Sequence, residues 1–95
     1  MTSETISFRA SDDALADAIL TLSRERGQDK TICPSEAARK LAGSNPDIWG
    51  AMMSQVRKVA ISLAREGRVV IYRKGRAIAP DDLKGVYRIG LPRAD

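Results

Sequence analysis

The stretch from Pro46 or Asp47 to Glu66, closed by Gly67, constrains the fold more than any other part of the chain. At about 100° per residue, Trp49, Met52, Met53, Val56, Val59, Ala60 and Leu63 gather on one side of a helix. Ser54, Gln55, Arg57, Lys58, Ser62 and Arg65 take the other side or its flanks, together with Ile61. Such a helix is stable only when its apolar face is covered by other elements. Beyond Gly67 the chain turns β in character. Arg68-Val69-Val70-Ile71-Tyr72 reads as a strand, and Arg73-Lys74-Gly75-Arg76 is a turn built almost wholly of cations. Ala77-Ile78-Ala79 is briefly apolar, residues 80–85 read as loop, and residues 86–91 alternate like a returning strand.

Two further helices precede this stretch. Ser11 is a natural N-cap, with Asp12 and Asp13 in the first turn, where negative charge suits the helix dipole. Leu15, Ala18, Ile19 and Leu22 recur at helical spacing, Arg24 and Arg26 occupy the last turn, and Gly27 supplies the stop. Lys30-Thr31-Ile32-Cys33 is a brief extended segment. Pro34 fits the first position of a second helix, with Glu36 at the capping-box spacing from Cys33, or Ser35 as the cap one register later. Ala37, Ala38 and Leu41 give this helix a small apolar face, and Gly43-Ser44-Asn45-Pro46 ends it.

The order helix, short strand, helix, helix, strand, loop, strand predicts an α+β, mainly α fold: a winged helix-turn-helix of three helices and a C-terminal β-hairpin wing. In this reading Leu15, Ile19, Leu22, Leu41, Val56 and Leu63 pack together. Alternate residues of 69–72 and 86–91 cover the open side of the third helix. Residues 1–10 form a flexible N-terminal segment, 11–91 the winged-helix domain and 92–95 a tail. The competing architecture is a three-helix bundle with an unrelated appended hairpin, which leaves too little chain for each part.

The run Lys30-Thr31-Ile32-Cys33-Pro34-Ser35-Glu36-Ala37-Ala38-Arg39 resembles the signature of a small bacterial family known as domain of unknown function 3253. Trp49, Met53, Val56-Arg57, Ala60, Leu63-Ala64, Glu66-Gly67-Arg68, Lys74-Gly75-Arg76, Pro80, Gly85 and Arg88 extend the resemblance over nearly all of the chain after Ser11. The resemblance implies a winged-helix fold. It carries over no activity, substrate or site residue.

Composition narrows the chemistry. The single Cys33 permits no internal disulfide, and the absence of histidine removes the commonest metal ligand and neutral-pH base. No apolar run approaches the roughly 20 residues that span a bilayer, so a cytoplasmic protein is expected. No paired carboxylates, phosphate-binding glycine loop or metal-ligand spacing is present, so the expectation is no enzyme, no cofactor and no metal. The net charge of +4 is unevenly placed. Residues 1–47 hold six Lys/Arg against eight Asp/Glu, and residues 48–95 hold ten against four.

A positive field confined to one half of a helix-turn-helix points to duplex DNA. Arg57, Lys58 and Arg65 would lie on the exposed face of the third helix, with Ser54, Gln55 and Ser62 reaching base edges or phosphates. Arg73, Lys74 and Arg76 would place the wing on the backbone or in a minor groove. Ile61 is out of place on a groove-reading face and suits a thymine methyl or a protein partner. The alternative function is therefore a protein-interaction or homodimerisation module without DNA binding. Cys33 at a helix N-terminus could be a redox or ligand site, although a capping or packing residue is the plainer reading. Trp49, Met52 and Met53 read as core sooner than as a ligand patch.

Overall fold

The computed structural model describes residues 11–92. The elements run α1 (Asp12–Arg26), β1 (Thr31–Ile32), α2 (Pro34–Ala42), α3 (Pro46–Ala51), α4 (Met53–Arg65), β2 (Val70–Arg73), β3 (Arg76–Ile78), a 3-10 turn (Pro80–Asp82) and β4 (Arg88–Gly90). The fold is α+β and mainly helical, in a layout that fits a winged helix-turn-helix. The expected N-terminal segment and all but Pro92 of the tail lie outside the described residues.

Local chemistry fixes the helix ends. Ser11 Oγ accepts from the Ala14 N–H at 3.0 Å, and the Gly27 N–H closes α1 on the Ser23 carbonyl at 3.0 Å. Gly27 adopts φ 100°, which a side chain would oppose. At the start of α2 the Cys33 N–H donates to Glu36 Oε2 at 2.8 Å, the reciprocal half of a capping box. Glu36 also pairs with Arg26, which in turn donates from Nη1 to the Thr31 carbonyl at 3.0 Å. This cluster clamps the end of α1 to the start of α2.

The expected single third helix is two helices. Asn45 Oδ1 caps α3 by accepting from the Asp47 N–H at 3.0 Å. The Met52 N–H then bonds the Trp49 carbonyl three residues back, at 3.1 Å, and Met52 sits at φ −86°, ψ −8°. That tightened turn, next to the weak helix former Gly50, breaks the axis and swings Met52 into the core at 4% exposure. Trp49 and Met53 are half-buried against the core, with the Arg39 guanidinium 5.7 Å from the Trp49 ring centroid.

Leu15, Ile19, Val56 and Leu63 are buried as expected, Leu22 only in part. Leu41 departs from expectation at 41% exposure. Ala37 and Ala38 are fully buried, so α2 is seated through its smallest side chains and the longer Leu41 is left at the margin.

The wing also differs from its reading. Strand β2 pairs not only with β4 but first with β3, through the two-residue turn Lys74-Gly75. Both turn residues have positive φ, 54° and 79°, the geometry that matches the twist of a tight hairpin. Strand β3 is three residues long and lacks alternation, so the sequence pattern hides it. Strand β4 lies between β2 and β1, which gives an antiparallel sheet of order β1-β4-β2-β3. The register sets Ile32 opposite Ile89 and Ile89 opposite Ile71, and all three are fully buried on the helix-facing side. Val69 and Tyr87 join them, as the alternation of residues 69–72 and 86–91 requires.

Candidate nucleic-acid interface

The outward surface of α4 divides into two stripes. Arg57, Ile61 and Arg65 succeed one another at four-residue spacing on one face. Arg57 Nη2 donates to the Leu83 carbonyl at 2.6 Å. Arg65 donates to Asp81 Oδ1 from Nε at 3.2 Å and from Nη2 at 2.5 Å. Between them Ile61 is half-buried against the core. The segment around the Pro80–Asp82 turn has folded back over this stripe, with Leu83 buried at 5% exposure. The apolar residue that looked misplaced for groove reading therefore has a packing role. Asp81, expected only as part of the loop over residues 80–85, is also the partner of Arg65.

Ser54, Lys58 and Ser62 make the second stripe, again at four-residue spacing, and all three are exposed. Gln55 beside them donates from Nε2 to Asp12 Oδ1 at 2.9 Å. A cavity of about 530 Å3 runs along this edge, with Lys58 and Ser54 facing Asp12 and Asp47. A smaller groove of about 180 Å3 places Lys58 and Ser62 near Asp13 and Glu66. The positive character of α4 in this direction rests on Lys58 alone, with carboxylates nearby.

The wing keeps its charge. Lys74 and Arg76 are exposed, Arg73 is half-buried, and none of them enters an ion pair among the described residues. Arg88 on β4 and Lys30 just before β1, to which the sequence reading gave no binding role, stand nearby. Arg88 donates from Nε to Thr31 Oγ1 at 2.6 Å and from Nη2 to the Thr31 carbonyl at 3.1 Å. Only the sheet order, which brings residues near 30 beside residues near 88, could have revealed this grouping.

Two ionisable groups are perturbed. Burial pushes Glu36 up, but the Cys33 N–H bond and the Arg26 partner outweigh it and hold the carboxyl below its ordinary 4.5. Burial pushes the Tyr87 phenol up to about 12, against the opposing charge of Arg57. The Tyr87 hydroxyl has no hydrogen-bond partner among the described residues. Cys33 is half-buried, its Sγ 3.1 Å from Ser35 Oγ, so the thiol belongs to the local cap of α2. No group of three or more acidic, cysteine or histidine side chains able to hold a metal occurs among the described residues. No helix among them is long and apolar enough to cross a membrane.

No curated protein matches the chain. One family model, described as "Protein of unknown function (DUF3253)", matches residues 12–92.

Proposed function

We propose that this chain, which belongs to the DUF3253 family, is a duplex DNA-binding protein that holds phosphates chiefly through its wing. The observation that carries the reading is the trio Arg73, Lys74 and Arg76 around the β2–β3 turn, free of ion pairs among the described residues. Cations without protein partners are the ones able to displace counterions from a phosphate backbone. Lys58, flanked by Ser54 and Ser62, adds the contribution of α4. The layout supports this by analogy with helix-turn-helix proteins, in which the helix after the turn enters the major groove. With Arg57 and Arg65 tied to the segment beside them, α4 offers few forks for bidentate base reading. Binding is accordingly electrostatic with little sequence preference. The role is that of a cytoplasmic regulator acting on DNA without a catalytic step.

The test is fluorescence anisotropy on random duplexes between low and physiological salt. Affinity falls with salt at a log–log slope of roughly −0.9 per phosphate neutralised. Replacing Lys74 and Arg76 together with alanine lowers affinity for all sequences alike and flattens the slope by up to about 1.8. No binding at low salt, or binding indifferent to these removals, refutes the proposal and leaves a protein-docking or dimerising module. That alternative has thinner support. Leu41 and Val86 are the exposed large hydrophobic residues among those described, and single apolar residues of this kind are ordinary on protein surfaces.

A further inference from the structure

The outer face of the sheet carries a second cavity, of about 610 Å3, within the size range of small-molecule sites. Its origin lies in the strand alternation. Ile71, Ile89 and Ile32 point to the core, so Tyr72, Gly90 and Thr31 take the opposite face. Gly90 has no side chain there, and a methyl group on it would sit 3.3 Å from Tyr72 Cε2 and 3.2 Å from Thr31 Cγ2. The Tyr72 ring thus lies against bare backbone. The β2–β3 turn and the segment leading into β4 rise as walls around it.

Those walls are cationic. Lys30, Arg73, Lys74 and Arg88 line the cavity against one acid, Asp29. Arg88 is oriented by its two bonds to Thr31. Arg73 is laid across Gly85, where a methyl group would come within 3.0 Å of Nη2, and its buried Nε has no hydrogen-bond partner among the described residues. Lys30, Arg73 and Lys74 have no ion-pair partner among the described residues. Beside these charges stand the Tyr72 ring and Val86, which is 85% exposed at the rim.

We infer that this cavity binds a small aromatic phosphate monoester, its ring against Tyr72 and Val86 and its dianion held by Arg73, Lys30 and Lys74. A guanidinium offers a planar fork of donors suited to an oxyanion, and three cations without ion-pair partners among the described residues favour a dianion over a single carboxylate. The apolar wall selects for a ring over inorganic phosphate. This inference does not rest on the DNA reading. Arg76 is absent from the cavity lining, and Val86 carries no charge that DNA could use.

The experiment is an amide NMR titration of the full chain with phenyl phosphate, with benzoate, inorganic phosphate and phenol as comparisons. Phenyl phosphate is expected to give saturable shifts at Gly75, Gly85 and Gly90, and to bind at least about tenfold more tightly than each comparison, a difference of about 1.4 kcal/mol. Arg73→Met and Val86→Glu should each weaken it about tenfold or more, whereas Arg76→Ala should leave it unchanged. Val86→Glu adds an anion where there is little packing to lose, so an unchanged melt separates lost binding from lost fold. Phenyl phosphate no tighter than inorganic phosphate or benzoate overturns the inference. So do unsaturable shifts spread over all basic residues, or binding indifferent to Arg73→Met and Val86→Glu.

Discussion

Arg57→Met separates a tether from a DNA contact. Arg57 donates a 2.6 Å charge-assisted bond to the carbonyl of Leu83, whose side chain is buried at 5% exposure. Hydrogen bonds to charged groups contribute about 1.5–3 kcal/mol. Arg57 is itself exposed, so water recovers part of the loss, and about 1–2 kcal/mol is the expected destabilisation. Methionine keeps most of the aliphatic stem, which confines the change to the lost donor. For a domain of this size the melting midpoint should fall by about 4–16 °C. Arg65→Met is the internal control. Its ion pair with Asp81 is formed by side chains 64% and 75% exposed and should contribute no more than about 1 kcal/mol. Thermal melts read both values, and anisotropy reads the DNA salt slope, which Arg57→Met should leave unchanged. A destabilisation below about 0.5 kcal/mol, together with a flattened slope, would show that Arg57 serves phosphate and not the loop.

Leu63→Ala should cost about 2–5 kcal/mol by urea titration, since the side chain is 3% exposed at the centre of the α4 core face. Glu36 is held below 4.5 in the folded chain, so its contribution is present above that pH and is lost as pH falls through the folded value. Melts across the acid range should therefore show a steeper decline for the native chain than for Glu36→Gln. Tyr87 carries the opposite sign: its folded value of about 12 lies above the ordinary 10, so stability is intact below pH 10 and declines as pH rises toward 12. Tyr87→Phe should lose less over that alkaline range and, because its hydroxyl has no partner among the described residues, should differ by less than about 0.5 kcal/mol at neutral pH. An equally steep alkaline decline in both proteins would show that Tyr87 is not the group responsible.

What could be read from the sequence was what neighbouring residues decide. Ser11, Asp12, Asp13 and Gly27 frame α1 within its own length, and Pro34 with Glu36 frames α2. The apolar periodicity of α4 places Val56, Val59, Ala60 and Leu63 in the core. The break at Met52 escaped because periodicity is nearly unchanged across a single tightened turn. Strand β3 escaped because its evidence is a pairing rather than a pattern. The site was the least legible part, for a related reason. An arginine facing a groove and an arginine tying down a loop look identical until the partner is placed, and here the partners lie 16 and 26 residues away. The ten cations of residues 48–95 therefore overstate the charge open to a polyanion. Arg57 and Arg65 fasten the segment after β3 to α4, Arg68 meets Glu66 at 3.6 Å, and Arg88 ties β4 to β1. A chain with four aromatic residues and a small aliphatic core relies on guanidinium bonds to carbonyls and carboxylates where a larger domain would use apolar packing. Setting those tied arginines aside moves the centre of the cationic side chains free to turn toward a polyanion from α4 to the wing, where Arg73, Lys74 and Arg76 stand.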